Sequence, residues 1–549
     1  MLKTTWIVCA LAVLIHVTGL SAAESALWSE PVDAELAARD STLGRYDGRT
    51  IDSLVVDSRN IFDTDDPQYA GFLFRTANRL HIVTREHVIR RELLFAPGDR
   101  FSSELARETA RNLRSDYSIY DAWWEIEELD SGGLLVRLVT TDRWSLTGGV
   151  VLQRNGDETD FQIGFEEDNF LGLNQYLLLQ YEMQEADENF AEARFQDRRV
   201  FGHPFLLGLR YKGDPTDEIK ELTVGRPFYN LQQRFSFGAS VLARGARRDL
   251  YDDNNSLLAR STSAADQFLL EGIYRWGSYK NKTGLMLNYR YVFETTFDRK
   301  IAEGVDPGDI VFPTDSVAHE IVGGAFLQNL EFATTRRLNG FDQVEDVTLG
   351  QSLTLRAGRA FVPGLNDYRY DLLTFEARLA GRFRHNLLII NYDRTFWFRR
   401  ESDLRRWSQV SVVYYNNRLP IVTFAARVLY QRDWRSDNSA RLELGGASGL
   451  RGFPRRFRIG DRMVVANLET RWFPGLELLS VQFGGVLFTD LARSWKPDEA
   501  TLIEDFHQTI GVGLRISLEK ASNAELFRID LSRNQDNQWE VSFGTGQYF

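Results

Sequence analysis

The sequence predicts a mainly β protein, an antiparallel barrel of membrane type behind a small α+β unit. Three observations carry this. From about residue 146 onward, segments of roughly ten residues alternate in polarity. Aromatic residues make up 13% of the 549 residues, as 37 Phe, 20 Tyr and 12 Trp, yet mean hydropathy is −0.32. The N-terminus carries the marks of export. A strand with one lipid face and one polar face hides its hydrophobicity from an average, whereas a membrane helix needs about 20 apolar residues in a row. No such run follows the N-terminus. The formal net charge of −12 argues against non-specific nucleic-acid binding, which rests on phosphate neutralisation by Lys and Arg. The 13 Pro and 42 Gly argue against a low-complexity disordered chain.

Residues 1–23 read as a secretory signal: Lys3, an apolar run from Trp6 to Ile15, and small Ser21-Ala22-Ala23 before a cut after Ala23. An N-terminal anchor is the alternative, and the apolar run is short for one. The one cysteine, Cys9, lies in this segment, in a poor lipoprotein context after Trp6-Ile7-Val8. The processed chain then has no disulfide, Cys-zinc site or thiol nucleophile. An exported chain without cysteine suits a bacterial envelope. Residues 24–49 are polar and acidic and read as a linker.

A strand follows at 51–56, then a tract, 58–83, without a clear period. Thr84 caps a short helix bearing Val88, Ile89, Leu93 and Leu94, ended by the turn Phe95-Ala96-Pro97-Gly98-Asp99. Ser102 or Ser103 caps a second helix with Leu105, Thr109, Ala110 and Leu113 on one face. Two strands, about 118–128 and 133–142, meet at the turn Asp130-Ser131-Gly132-Gly133. The order β-α-α-β-β over 50–145 is an α+β module.

The rest, 146–549, reads as the barrel. Trp539, Val541, Phe543, Thr545 and Phe549 share one face, opposite Gln538, Glu540, Ser542, Gly544 and Gly546. Ile510, Val512, Leu514, Ile516 and Leu518 likewise oppose Gly511, Gly513, Arg515 and Ser517. A membrane barrel needs this alternation and no open edge. Turns recur at Asn155-Gly156-Asp157, Ser278-Tyr279-Lys280-Asn281 and Asn534-Gln535-Asp536-Asn537. The alternative, a soluble sandwich or propeller, lacks a visible blade repeat. Polar tracts at 249–263 and 299–318 read as long external loops. In the first, Asp249, Asp252 and Asp253 are either a solvated acidic loop or a cation site.

Particular wordings go further. "IRRELLFAPGDRFSSELARETARNL" followed by "LVTTDRW" closely resembles a POTRA domain, the periplasmic module of outer-membrane assembly and secretion factors. Gly446-Ala447-Ser448-Gly449-Leu450-Arg451-Gly452-Phe453 resembles the loop signature of the BamA/TamA superfamily of outer-membrane assembly and secretion barrels: an apolar residue, Arg, Gly and an aromatic. Glu469 in "VVANLETRWF" and Asp490 in "GGVLFTDLAR" match the acidic wall positions that meet this Arg, with Ala492 where that signature usually has Gly. Asp168-Asn169-Phe170-Leu171-Gly172 resembles the superfamily's first periplasmic turn, which puts the first barrel strand near 146–154. The end, with Ser542, Gly544 and Phe549, resembles the C-terminal signal of outer-membrane barrels, with Gln547 as a departure.

This resemblance implies 16 strands, a loop bearing Leu450, Arg451, Gly452 and Phe453 folded into the lumen and locked to Glu469 and Asp490, and closure through a last strand loosened at Gly544 and Gly546. It implies insertion or translocation of client proteins at the outer membrane, with the module in the periplasm docking clients or partners, lipoproteins among them. The partners expected are membrane lipid, unfolded client chains and such periplasmic proteins, not nucleic acid. A passive pore, or a structural or lipid-organising surface protein on the same fold, stays open. No enzyme, cofactor or metal is expected: there is no Gly-x-Ser-x-Gly elbow or phosphate loop, and the seven His are scattered.

Overall fold

The computed structural model of the protein describes residues 36, 39, 42–115, 118–155, 158–184, 190–213, 217–251, 257–310, 312, 315–362, 367–399, 402–435, 442–454, 457–496, 499, 505–521 and 526–549. The signal at 1–23, most of 24–41, Gly156, Asp157, Asp252 and Asp253 lie outside them, as does the side chain of Asp249. Among the described residues no helix is long and apolar enough to cross a membrane.

The first unit holds β1 (Ile51–Arg59), α1 (Phe72–Leu80), α2 (Glu86–Arg90), α3 (Ser103–Arg114), β2 (Ile119–Glu128) and β3 (Leu134–Asp142). The order is therefore β-α-α-α-β-β. α1 is the addition to the expected pattern, in the tract without a period, where three consecutive apolar residues, Phe72-Leu73-Phe74, blur the spacing. Ser102 caps α3 by accepting the Leu105 N–H, which satisfies one of the free donors of the first turn. The sheet runs β1-β3-β2, with β1 parallel and β2 antiparallel to the central β3. Leu134, Val136 and Leu138 are fully buried on β3 between the helices and the sheet neighbours. Residues 42–49, expected as linker, pack on the unit. Leu43 joins its core, and Asp47 accepts from the Ser103 N–H.

The second unit is a large antiparallel sheet curled into a ring. Six short strands come first: β4 (Leu146–Asn155), β5 (Glu158–Glu167), β6 (Tyr176–Gln184), β7 (Phe190–Asp197), β8 (Leu206–Gly213) and β9 (Asp217–Arg226). Nine long strands follow: β10 (Phe235–Tyr251), β11 (Leu257–Gly277), β12 (Asn281–Ile301), β13 (Ser316–Thr335), β14 (Glu345–Val362), β15 (Asp367–Phe383), β16 (Asn386–Arg399), β17 (Ser402–Leu419) and β18 (Val422–Arg435). A small hairpin, β19 (Leu442–Leu444) with β20 (Arg458–Gly460), stands apart from the ring. The ring resumes with β21 (Arg462–Leu478), β22 (Val481–Trp495), β23 (His507–Ser517), β24 (Phe527–Asn534) and β25 (Trp539–Thr545).

Among the described residues the sheet has twenty strands, not sixteen. The count rises because tight turns fit six strands into residues 146–226. The tract 249–263 is largely strand among its described residues, since β10 and β11 run into it, whereas in 299–318 β12 and β13 enter only the two ends and the described residues between them form a loop, as expected. Each ring neighbour is joined by an antiparallel ladder except at one place. β25 comes round beside β4, yet among the described residues no ladder register joins these two, and the ring is open there. The wall is uneven. β11 and β12 have 21 residues each, whereas β25 has 7.

Outward faces are apolar: Leu285, Leu353, Leu355, Ile510, Val512, Trp539, Val541 and Phe543 are all exposed. The first unit sits against one mouth of the ring and touches turns all round it. Arg114 forks onto Asp346 (2.8 and 2.7 Å). Glu108 accepts from the Tyr279 hydroxyl (2.6 Å) and Leu231 N–H. Arg199 donates to Glu92 (2.6 Å), Tyr69 to Glu477 (3.0 Å) and Trp144 N–H to the Lys520 carbonyl (2.6 Å).

Candidate functional site

The loop from β18 to β21 leaves the far mouth and turns back into the lumen. Leu450 and Phe453 are buried with Leu442, Leu444, Met463, Val465 and Ala492. The Ala492 methyl is part of this cluster, which gives a reason for Ala where the resemblance led one to expect Gly. Between the two anchors Gly452 passes close to the wall. A Cβ there would stand 3.0 Å from Ser532 Oγ and Thr509 Cγ2. Its carbonyl accepts from Asn534 Nδ2 (3.0 Å).

Arg451 is thereby carried into the wall and is 1% exposed. Its Nε and Nη2 fork onto the two oxygens of Asp490, both at 2.8 Å, and Nη1 donates to Glu469 Oε1 at 2.8 Å. Its backbone N–H also reaches Asp490 (3.2 Å). Planar forks of this kind fix direction as well as charge. The structure therefore brings Leu450, Arg451, Gly452, Phe453, Glu469 and Asp490 together. Ladder register builds the acidic row: Asn467 lies opposite Asp490, and Glu469 opposite Phe488. Directly opposed residues share a face of the sheet.

Several partners had no sequence signal of their own. Asp530 lies 3.5 Å from Arg451 Nη1 and accepts from Arg515 Nη1 at 2.6 Å. Arg471 donates to Glu469 (2.9 Å). Three buried arginines, 451, 471 and 515, thus face three buried carboxylates, 469, 490 and 530. Burial of one charge without its partner is costly, so the balance matters. Arg427 grips Asn467 Oδ1 (2.8 Å), whose Nδ2 in turn holds Asp490 (2.7 Å) and the Gly449 carbonyl (2.8 Å). Two rings pack on Arg451, Phe488 at 3.5 Å and Tyr548 at 4.1 Å from its guanidinium carbon.

Tyr548 belongs to a segment expected elsewhere. Phe549, expected on the face shared by Trp539 and Phe543, lies inside. β25 ends at Thr545, and Gly546 adopts φ +69°, a left-handed conformation that turns the chain inward and that other residues rarely take. Gln547 then bridges Arg515 Nε (3.1 Å) and the Asn339 carbonyl (3.2 Å), which accounts for its departure from the aromatic or apolar residue of the signal. Tyr548 donates to the Gly446 carbonyl. Phe549 packs among Leu338, Leu387, Tyr415 and Ala425, and its carbonyl accepts from Arg471 Nη2 (2.9 Å). Ser542 and Gly544 face the lumen, opposite Asp530 and Arg528 on β24.

A second loop enters from the mouth that holds the first unit. It is the β13–β14 connection, 336–344. Its Leu338-Asn339-Gly340-Phe341 repeats the spelling of Leu450-Arg451-Gly452-Phe453, a signal that could have found it. Phe341 is buried on Phe473 with ring centroids 5.2 Å apart. Arg471 Nη1 holds the Leu338 carbonyl. Across the mouth, Glu519 in the β23–β24 turn accepts the backbone N–H groups of Phe341, Asp342 (2.8 Å) and Gln343 (2.9 Å). Burial pushes the Glu519 carboxyl up to about 7, against the pull of those N–H donors. Arg471 is the meeting point of the far loop's network, the near loop and the tail.

Asp168, Asn169, Phe170 and Gly172 form a different site, a joint between the two units. Asn169 Nδ2 donates to the Ile82 carbonyl (3.1 Å) and Thr84 Oγ1 (3.0 Å), and the Gly172 carbonyl accepts from Arg85 N–H (3.0 Å). The Phe170 N–H closes the turn onto the Gln175 carbonyl (2.9 Å), and Asp168 is buried with its N–H on the Ser145 carbonyl (3.2 Å). The next hairpin repeats the turn at Val200-Phe201-Gly202.

No family model matches the chain, and no curated protein does. Among solved structures, CdiB from Acinetobacter baumannii is 12% identical, over 91% of this chain and 74% of that one, with a TM-score of 0.40. CdiB from Escherichia coli is 12% identical over 90% and 75%, with a TM-score of 0.38. The chain is also similar, at 14% identity over 90% of its length and 84% of the other, to a BamA from Haemophilus ducreyi lacking POTRA domains 1–3, with a TM-score of 0.36.

Proposed function

We propose that this chain is an outer-membrane barrel that inserts client proteins into that membrane or passes them across it. The first unit then lies in the periplasm, as a POTRA-like module at residues 50–145, and the loop at 445–454 enters from outside. The observation that carries this reading is the Arg451 lock beside an unladdered seam. Strands β21 to β24, which end next to that seam, are braced from within by Arg451, Glu469, Asp490 and Asp530. A passive pore needs no such brace, whereas a wall that must part at one edge without collapsing does. N–H and C=O groups of β4 and β25 that no described ladder occupies would template an incoming strand, as any bare sheet edge recruits backbone. Short β25, with Gly544 and Gly546, is the side of the seam that gives way. β2, an outer strand of the module's sheet, offers a second edge for an extended client or a partner. No nucleotide or metal enters the scheme.

The test is a covalent staple. Cys9 is the one cysteine in the sequence, so paired cysteines in 146–149 and 540–546 can be oxidised selectively. Client delivery is expected to stop on oxidation and to return on reduction. Undiminished delivery through a stapled seam would sink the proposal. Depleting the protein and cataloguing which outer-membrane proteins fall would then identify the clients.

A further inference from the structure

The helix α1 has a face that no described residue covers. Phe72, Thr76 and Leu80 follow one another at helical spacing, with Leu73 beside them. Phe72 is 85% exposed, Leu80 66% and Leu73 55%. Arg75 and Arg79, also exposed, flank this stripe on one side. The opposite side is bolted down. Phe74 packs on Phe62 (4.8 Å) and Tyr69 (5.2 Å). Asn78 Nδ2 donates to the Phe62 carbonyl (2.7 Å). Lys520, in the turn before β24, stands over the rings of Phe62 (5.0 Å) and Tyr69 (4.0 Å).

The place is as informative as the face. Trp144, which leads into β4, packs on the same aromatic cluster and is hydrogen-bonded to Lys520. α1 is therefore fixed under the seam, at the mouth that holds the module. Just past its end Ile82, 53% exposed, lies against the β5–β6 turn. A Cβ on Gly172 there would be 3.2 Å from Ile82 Cγ2. Leu171 in that turn and Leu146, Phe165 and Leu179 on the adjoining strands are exposed too. The apolar stripe of α1 thus continues the outward apolar band of the first strands, and two cations border it. Apolar residues beside Arg on one face are the composition of a helix lying in a membrane interface. A protein partner would not require continuity with a lipid-facing band.

We propose that α1 lies in the lipid leaflet next to the module, with Phe72, Leu73, Leu80 and Ile82 among the upper acyl chains and Arg75 and Arg79 on headgroup phosphates. This rests on the reading of the ring as a membrane barrel, so the experiment separates the two. Single cysteines at Leu80→Cys, Asp130→Cys and Leu353→Cys, in a Cys9→Ser background, carry an environment-sensitive fluorophore on the full chain. The chain is folded into phosphatidylcholine vesicles with or without phosphatidylglycerol. Asp130 is in the β2–β3 turn of the module, and Leu353 is on the outer face of β14. Brominated lipid is expected to quench the label at 80 several-fold more than that at 130, and nearly as much as that at 353. Phosphatidylglycerol is expected to deepen the quenching, and Arg75→Gln with Arg79→Gln to remove that increment.

A label at 80 as open to aqueous iodide as the one at 130 overturns the proposal while leaving the barrel intact. Shielding from iodide without quenching by lipid overturns it too, in favour of a second protein surface. Loss of lipid quenching at 353 overturns both readings.

Discussion

At the residue scale the decisive group is Arg451. Replacing it by Ala leaves Asp490 and Glu469 buried with one cation fewer, and such truncations cost about 3–5 kcal/mol. Arg451→Ala is expected to unfold at lower temperature, read as the temperature at which the compact species is lost on unheated electrophoresis. Arg451→Lys is expected to recover only part of the loss, because a point charge cannot fork onto Asp490 and reach Glu469 together. Unchanged heat resistance in the Ala variant would count against the lock. Arg451, Glu469 and Asp490 were legible because they sit in wordings with a fixed order. Arg515 and Asp530 were not, because a charge on the polar side of a barrel strand looks the same whether it pairs with a loop or faces water. Phe549 misled for a different reason. Alternation continues on paper past Gly546, and only the left-handed backbone there sends the chain inward.

At the element scale the near loop, 336–344, is held by one carboxylate in the β23–β24 turn. The Glu519 carboxyl is raised from 4.5 to about 7 in the folded protein, chiefly by burial. Between those values the folded chain keeps a proton that the unfolded chain has lost. Stability from this group therefore falls as pH rises through that window, by at most about 3 kcal/mol. Melting profiles across the window are expected to slope downward with pH in the parent and to flatten in Glu519→Gln. A parent and variant with parallel slopes would remove Glu519 from the account. The helices α2 and α3 and the alternating strands were readable from spacing, but Thr84 does not cap α2: the helix begins at Glu86 after Arg85, and the Thr84 hydroxyl donates to Asp142 instead. The reach of β10 and β11 was not readable. Where both faces of a strand are wet, alternation fades while the ladder continues, so 249–263 reads as a loop. The count of sixteen came with the resemblance rather than from the pattern, and the closely spaced strands of 146–226 take it to twenty among the described residues. α1 was missed because Phe72-Leu73-Phe74 blur its spacing, with Phe74 facing inward and Phe72, Leu73 and Leu80 facing out.

At the scale of the whole molecule, three described segments enter the lumen: the Arg451 loop from one end, the 336–344 loop from the other, and the tail between them. Single-channel recording of the parent is expected to show only small, brief openings. Removing 446–453 alone is expected to leave the near loop in place and the conductance low; removing 338–343 as well is expected to open a steady path. A large steady conductance in the parent would favour a passive pore.

The uneven wall has a mechanical consequence. A strand of 21 residues runs about 70 Å along its axis, whereas β25 with 7 residues runs about 24 Å. Peeling two strands apart breaks their rungs one after another from an end, like a zipper. Parting β11 from β12 means undoing a track some three times longer than anything β25 can make, so force on this ring strains the short-stranded flank, β6 to β9 with β24 and β25, before the long one.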